Sequence, residues 1–201
     1  MNDVVRHYDL LVDDGNDPVL DPPELAAYMD GWDGACFMDA LGLDDTKDVL
    51  EIGVGTGRLA LRTAPRCRRF TGIDISPKSI ARAGMHLADL PQVSLLCADF
   101  MHWQTAQCFD VVYSSLTFLH LKDKRGAAKR VAALLKPGGR AVISLDKSRE
   151  PVLEYGTRSL SVYPDDPAEL SVYLTAAGLT VLPVQETDFA YILTAIKGEN
   201  G

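Results

Sequence analysis

Three alternating glycines in the first third of the chain could let the backbone approach a ligand. Gly53, Gly55 and Gly57 follow a short apolar run that ends at Ile52, and a helix-compatible run begins directly after them at Arg58. This is the pattern of a strand, a tight glycine loop and a helix. Glycine takes positive φ easily and has no Cβ to block a ligand, and the first turn of a helix offers free N–H groups. The pattern predicts either a ligand-binding loop or an ordinary turn between a strand and a helix.

Polar residues stand at the ends of the strands that the sequence predicts. Glu51 lies near the end of the first predicted strand, Asp74 at the end of the second and Ser114 at the end of the fourth. Asp99 and Phe100 directly follow the third strand. Because ligands of open α/β sheets bind at the carboxyl ends of the strands, we expect these residues to meet at one edge. A carboxylate at Asp74 could accept both hydroxyls of a ribose, and Asp99 could accept from the amino group of a base. Each could also be an ordinary loop residue, but their order and spacing together favour a ligand site.

Strands and helices alternate over most of the chain. The predicted strands, several of them continuous apolar runs, are 48–53, 69–74, 93–97, 109–114 and 140–145. The predicted helical runs between them are 57–65, 77–89 and 122–135. This alternation indicates a mostly parallel sheet with both faces covered. Two further strands, 179–186 and 189–196, are joined by only two residues, which predicts an antiparallel hairpin near the end of the chain.

Three helix starts are marked by a capping residue that precedes a proline. They are Asp21-Pro22, Ser76-Pro77 and Asp166-Pro167. Ser and Asp favour the cap position, and proline suits the first helical position. The helix that begins after Asp21 is interrupted by Gly31 and Gly34 and could be two helices, whereas the acidic, turn-rich stretch before it suggests a loop or a short helix pair.

Length and composition limit the class of protein. The 201 residues carry a net charge of −8, which suits a nucleic-acid phosphate backbone poorly. No run of about 18 apolar residues predicts a membrane helix, and the polar N-terminus does not resemble a signal peptide. The four cysteines lack metal-ligand spacing, and two of them, Cys97 and Cys108, are expected to be buried free thiols. We expect a cytoplasmic protein with no metal, no nucleic-acid partner and no membrane partner; the oligomeric state stays open.

Taken in order, the motifs resemble those of the class I S-adenosylmethionine-dependent methyltransferase family. The matching positions are Glu51 with the three glycines, Asp74, 98–100, 109–120 and 135–143. The resemblance covers roughly residues 45–197 and implies a Rossmann-like α/β fold: a seven-stranded, mostly parallel sheet with a reversed C-terminal strand and helices on both faces. It implies one methyltransferase domain, 1–201, with an N-terminal helical cap, 1–45, on a core of 46–197. The implied cofactor is S-adenosyl-L-methionine.

The resemblance also implies a role for each residue of the glycine loop. Gly53 and Gly55 would let the backbone approach the methionine part of the cofactor, with Gly57 completing the loop. Glu51 would order the cofactor's ammonium group, and the backbone carbonyl of Ser114 would contact the same group.

The other cofactor contacts follow from the next strands. Asp74 would hold the ribose hydroxyls, with Ile75 against the adenine. Asp99 would meet the adenine amino group, and Phe100 would lie beside the ring. Arg58 would reach the methionyl carboxylate, for which Tyr8 is a second candidate.

The implied reaction is an in-line displacement of the sulfonium methyl by a small-molecule acceptor. Positioning alone can supply about 7–11 kcal/mol, so a general base is optional. His120, which follows the fourth strand, is either that base or a histidine packed for structure. The variable segments 1–45 and 146–165 are expected to line the acceptor site. The candidate residues in these segments are Tyr8, Tyr28, Trp32, Tyr155 and Arg158.

Three alternatives remain at this stage. An NAD(P)-dependent oxidoreductase would have Gly or Ala where Arg58 stands, six positions into the loop. A non-catalytic regulatory protein that binds S-adenosylmethionine or S-adenosylhomocysteine would carry the same binding motifs. A nucleic-acid methyltransferase is disfavoured by the acidic charge and by Ser114-Ser-Leu-Thr117, which stands where amino-group enzymes have Asn/Asp-Pro-Pro-Tyr.

Overall fold

The computed structural model describes residues 3–199. The helices are α1 Asp3–Asp13, α2 Pro23–Asp33, α3 Ala35–Ala40, α4 Ala60–Thr63, α5 Pro77–His86, α6 Lys124–Leu134 and α7 Pro167–Ala176. The strands are β1 Asp48–Ile52, β2 Arg69–Asp74, β3 Val93–Cys97, β4 Phe109–Ser115, β5 Leu135–Asp146, β6 Val152–Tyr155, β7 Arg158–Ser161, β8 Leu179–Val181, β9 Gln185–Glu186 and β10 Ala190–Lys197. Short 3-10 helices cover Ala64–Arg66 and Phe118–His120. Among residues 3–199, no helix is long and apolar enough to span a membrane.

One mixed sheet organises the fold. Its order is β3-β2-β1-β4-β5-β10-β8, and β9 pairs with β10. Strands β1 to β5 are parallel, whereas β10 runs antiparallel to β5. The predicted Rossmann-like fold with a reversed C-terminal strand is confirmed. The sheet has eight strands rather than seven because the predicted strand 179–186 is two strands, β8 and β9, separated by a segment containing Pro183, which has no N–H for the ladder.

Side chains from both faces of the sheet are buried. Leu50 and Val112 pack on one face in a cluster with α6 and α7. Their neighbours Val49 and Val111 pack on the other face with residues of α3, α4 and α5. Successive strand residues point to opposite faces. The continuous apolar runs therefore do reflect a sheet covered on both sides.

Two of the three predicted helix caps are present. Ser76 Oγ accepts from Ser79 N at 3.0 Å, and Asp166 accepts from the backbone N–H groups that open α7. The cap predicted at Asp21 is wrong. Pro22 precedes Pro23 and is therefore held extended, with ψ of 156°, so α2 begins one residue later and has no side-chain cap.

Other local differences concern the cap and the surface. The break between α2 and α3 falls at Gly34, as the sequence suggested, whereas α1 and the β6–β7 hairpin were not predicted as such. The helix predicted from residue 57 begins only at Ala60. Cys97 and Cys108 are exposed rather than buried, since Cys97 ends the edge strand β3 and Cys108 precedes β4.

Candidate cofactor and acceptor site

A cavity of about 760 Å³ opens at the carboxyl ends of β1 to β4. We call it the main cavity. One part of its wall comes from the glycine loop and the ends of β2 and β3. Another part comes from α1, the turn after β4 and Tyr155 of the β6–β7 hairpin. The residues predicted for the cofactor that line it are Glu51, Gly53, Gly55, Arg58, Asp74, Ile75, Asp99 and Phe100.

The three glycines of the loop all have positive φ but face different surroundings. Gly53 has φ of +78°, and a Cβ placed on it would lie 2.0 Å from Thr117 Oγ1. Gly55, with φ of +56°, lines the main cavity, and a Cβ there would meet nothing within 4 Å. Gly57, with φ of +101°, is absent from the wall; its Cβ position lies 3.3 Å from Leu87. A side chain at Gly53 would therefore collide with Thr117, whereas the cavity leaves space for one at Gly55.

Glu51 is a nearly fully buried carboxyl on the cavity wall. Tyr113 Oη donates to Glu51 Oε2 at 2.8 Å and also hydrogen-bonds Thr63 Oγ1 at 2.8 Å. Burial raises the pKa of Glu51 to about 8, and the Tyr113 hydrogen bond and the positive charge of Arg58 only partly oppose this. Glu51 is thus suited to face a cation, which would favour its ionised form.

Asp74 joins the end of β2 to the glycine loop. Its Oδ2 accepts from Gly55 N at 2.9 Å, and its Oδ1 accepts from Ser76 N at 2.8 Å. Burial raises the pKa of Asp74 against the effect of these two backbone donors. A carboxylate has about four acceptor sites, so further donors such as hydroxyls can still bind.

Asp99 and Phe100 form the part of the wall after β3. Asp99 accepts from Met101 N at 2.9 Å and from His102 Nδ1 at 2.7 Å. Phe100 is buried in the core, and the Arg130 guanidinium lies 5.5 Å from its ring centroid. Ser114, by contrast, does not line the main cavity: its Oγ donates to Ile52 O at 3.0 Å, and its neighbour Ser115 takes the place on the wall.

Arg58 has a partner that sequence reasoning did not identify. Its Nη1 donates to Asp33 Oδ1 at 2.9 Å and its Nη2 to Asp33 Oδ2 at 2.5 Å. Ser115 Oγ donates to the same Oδ2 at 2.6 Å. Asp33 is fully buried at the end of α2. No local sequence signal marks it, because its partners lie 25 and 82 residues away.

Tyr8 and His120 form a hydrogen-bonded pair on the wall of the main cavity. Tyr8 Oη lies 2.7 Å from His120 Nε2, and both residues line the main cavity. Burial lowers the pKa of His120 to about 4, with smaller contributions from His7 and Lys124, and burial raises the pKa of Tyr8. Both side chains are therefore neutral near pH 7. His7 packs edge-on against Tyr8 and Tyr155 and was also not anticipated.

The other three acceptor candidates lie elsewhere. Tyr28 and Trp32 pack with Phe189, with ring centroids 4.6 to 5.3 Å apart, and none of the three lines the main cavity. Arg158 forms an ion pair with Asp14 and is also absent from the wall. The sequence could not give the direction of these three side chains.

Leu116 is a further residue that the sequence did not single out. It lines the main cavity between Ser115 and Thr117 and has φ of +53°. Among residues 3–199 it is the sole non-glycine residue with positive φ. Such a conformation costs on the order of 1–3 kcal/mol and is common at ligand sites.

Within residues 3–199, no group of His, Cys, Asp and Glu could hold a metal ion.

Comparison with known proteins agrees with this geometry. Residues 49–139 match a family described as a methyltransferase domain. An uncharacterized methyltransferase of Mycobacterium bovis is 36% identical over 104 residues, which cover 51% of this chain and 52% of that protein. Nodulation protein S of Sinorhizobium fredii is 30% identical over 98 residues, covering 47% and 45%. The chain spans about half the length of the curated relatives it matches.

Solved structures resemble almost the whole chain. The DhpI–SAH complex covers 96% of this chain and 94% of DhpI, with a TM-score of 0.75 and 21% identity. The [4+2]-cyclase SpnF covers 97% and 96%, with a TM-score of 0.74 and 21% identity. At these identities the likeness shows the fold. The match of residues 49–139 to a methyltransferase domain agrees with the predicted resemblance to the class I S-adenosylmethionine-dependent methyltransferases.

Proposed function

We propose that this protein transfers a methyl group from S-adenosylmethionine to a small-molecule acceptor by in-line displacement. One observation carries the proposal. A single cavity joins a wall of glycine loop and strand-end carboxylates to a wall formed by Tyr8, His120 and Tyr155. The first wall suits the cofactor and the second suits an acceptor, so the two ligands would meet inside one enclosure.

The chemistry of the first wall fits the cofactor. Three carboxylates, Glu51, Asp74 and Asp99, line it, which suits a ligand with an ammonium, a sulfonium and ribose hydroxyls better than a pyrophosphate. The open space at the Cβ position of Gly55 leaves room for close approach to the backbone. In this proposal Glu51 faces the ammonium, Asp74 holds the ribose and Asp99 meets the adenine.

The remaining cofactor residues take more specific roles. Ile75 and Phe100 provide apolar surface for the adenine. Arg58 binds the methionyl carboxylate. Gly57 acts through the conformation of the loop. Ser115, which lines the main cavity, makes the contact with the cofactor's ammonium group that was predicted for Ser114.

The cofactor, when bound, supplies an electrophilic methyl group. The protein's task is then to hold the acceptor in line and to exclude water, for which positioning can supply about 7–11 kcal/mol. We describe residues 1–201 as one domain in which α1, α2 and α3 form the cap. Within it, Tyr8 and Tyr155 contact the acceptor, whereas Tyr28, Trp32 and Arg158 hold the cap in place.

His120 is proposed as the proton acceptor, acting through Tyr8. In the tautomer with hydrogen on Nδ1, neutral His120 accepts the Tyr8 hydroxyl hydrogen at Nε2. The Tyr8 oxygen can then accept a proton from the acceptor's hydroxyl or amine while its own proton moves to His120. After the transfer Tyr8 is again neutral and His120 carries the added proton as an imidazolium, so the pair needs no base that is ionised before the acceptor binds.

Turnover with a metabolite extract tests the proposal. The purified protein is incubated with S-adenosylmethionine and a small-molecule extract, and release of S-adenosylhomocysteine is measured. The Asp74→Asn variant, which weakens the cofactor site, is the control. Labelled methyl groups then identify the product, and in that reaction Tyr8→Phe should lower kcat about 10²-fold or more with little change in the KM of the cofactor.

Two results would oppose methyl transfer. Protection of the protein against unfolding by NADH, with none by S-adenosylhomocysteine, would favour an oxidoreductase. Tight binding of S-adenosylhomocysteine with no turnover in any extract would favour a regulatory binding protein.

The cytoplasmic location remains part of the proposal and rests on the sequence.

A further inference from the structure

A buried ion pair connects the cap to the glycine loop. Asp33, at the end of α2, has no exposed side-chain surface and accepts both Nη groups of Arg58. Arg58 lies on the wall of the main cavity and is only partly exposed. Ser115 Oγ, at the end of β4, donates a third hydrogen bond to Asp33. One carboxylate therefore ties together α2, the glycine loop and the end of β4.

The end of α2 is itself fixed to the sheet. Ser144 Oγ donates to Trp32 O at 2.7 Å. Thr187 Oγ1 donates to Gly31 O at 2.6 Å, and Phe189 N donates to the same oxygen at 3.2 Å. Asp33 thus follows a backbone segment held by three hydrogen bonds from the sheet and its loops. Its carboxylate is a fixed support for the Arg58 guanidinium.

Stability alone does not account for this pair. Taking two charges out of water often costs about as much as their attraction returns, and an apolar pair of similar volume is often as stable. α2 also forms a second, exposed ion pair with α4, the helix that follows the glycine loop, between Asp30 and Arg62, with N···O of 2.8 Å. Attachment of α2 to this region therefore does not require a buried arginine on the wall of a ligand cavity.

The guanidinium has capacity beyond Asp33. It carries five N–H donors in a rigid planar fork, which suits two-point recognition of carboxylates. Two of the donors bind Asp33. An arginine that is oriented in advance loses less conformational freedom when a ligand carboxylate binds.

We propose that Asp33 is a positioning residue that holds Arg58 so that its guanidinium binds the carboxylate of the cofactor's methionyl group. This inference rests on the proposed cofactor site. Through it, the cap contributes to cofactor affinity even though Asp33 does not line the cavity.

The test compares two ligands that differ in one group. S-adenosylhomocysteine has the carboxylate, and S-adenosyl-3-thiopropylamine lacks it but keeps the amine. Calorimetry gives the dissociation constant of each for the wild-type protein and for Asp33→Asn, with Asp30→Asn as the matched exposed control. Ser115→Ala, which removes one donor without leaving a buried unpaired charge, provides a milder variant should Asp33→Asn fold poorly.

The quantity that decides is the ratio of the two dissociation constants. We expect the wild-type protein and Asp30→Asn to prefer S-adenosylhomocysteine by about tenfold or more, as one charge-assisted pair would give. Asp33→Asn should bring the preference close to one, and Ser115→Ala should reduce it about two- to fivefold. If Asp33→Asn weakens the binding of both ligands by the same factor, the ratio stays unchanged. That result would mean a purely structural role for Asp33 and would overturn the inference. Absence of S-adenosylhomocysteine binding to the wild-type protein would instead refute the proposed function itself.

Discussion

Binding of the cofactor should release a proton from Glu51. In the ligand-free protein, burial raises the pKa of Glu51 to about 8. The proposed ammonium partner would favour the ionised carboxylate and lower that pKa. At pH 7 a group with a pKa of about 8 is about nine-tenths protonated, so binding of the cofactor should release about 0.9 proton. Because the carboxyl must first lose this proton, the affinity measured at pH 7 should be about tenfold weaker than the affinity of protein in which Glu51 is already ionised.

Calorimetry at pH 7 in two buffers of different ionisation enthalpy measures the released protons directly. S-adenosylhomocysteine is the ligand, and Glu51→Gln is the control because it keeps the shape and the hydrogen bond to Tyr113 but cannot ionise. The α-amine of S-adenosylhomocysteine, which is next to a free carboxylate, is already protonated at pH 7 and adds little to the proton count of either protein. Equal proton counts for the wild-type protein and Glu51→Gln would refute the reasoning.

The same substitution should change stability in a pH-dependent way. The pKa of Glu51 in the folded protein lies above its ordinary value of 4.5, so its contribution to stability declines as pH rises from about 4.5 to about 8. Glu51→Gln should therefore raise the unfolding temperature of the ligand-free protein at pH 8 more than at pH 5, although it weakens cofactor binding. If Glu51→Gln is less stable than the wild-type protein at pH 8, burial does not destabilise the ionised Glu51 carboxylate in the way we infer.

Three further predictions concern other parts of the main cavity. Gly53→Ala should lower the free energy of unfolding by about 2–4 kcal/mol in urea titration, because its Cβ would collide with Thr117, whereas Gly55→Ala should cost only the strain of positive φ. Asp74→Asn should weaken S-adenosylhomocysteine about 10- to 100-fold in calorimetry, as expected for loss of charge-assisted hydrogen bonds. His120 has a folded pKa of about 4, below its unfolded value of 6.5, so its contribution is lost as pH falls from about 6.5 to 4; His120→Gln should flatten that part of the stability curve.

Each has an outcome that would contradict it. Equal losses for the two glycine variants would show that the collision relaxes at no cost. Unchanged affinity in Asp74→Asn would remove this residue from the ribose site. An imidazole that titrates near 6.5 in nuclear magnetic resonance would mean that His120 is not shielded from water.

Local chemistry made much of the fold predictable, together with the part of the main cavity formed by the glycine loop and the strand ends. The alternation at Gly53, Gly55 and Gly57 requires backbone conformations that glycine adopts, and all three have positive φ. Ser76 and Asp166 cap helices through contacts only two or three residues away. Such signals act over short stretches of chain, so the sequence displays them directly. The acids at strand ends were equally visible, since the carboxyl ends of parallel strands must share an edge.

Long-range packing decided the rest. Asp33 meets Arg58, and Tyr8 meets His120 across 112 residues, only because the cap folds over the sheet. Trp32 belonged to the expected segment, yet its ring packs against Phe189 and does not line the main cavity. The sequence by itself determined the glycine loop and the strand-end acids that line the main cavity. The tertiary structure decided which side chains close the cavity, because the direction of a side chain depends on packing between elements distant in the chain.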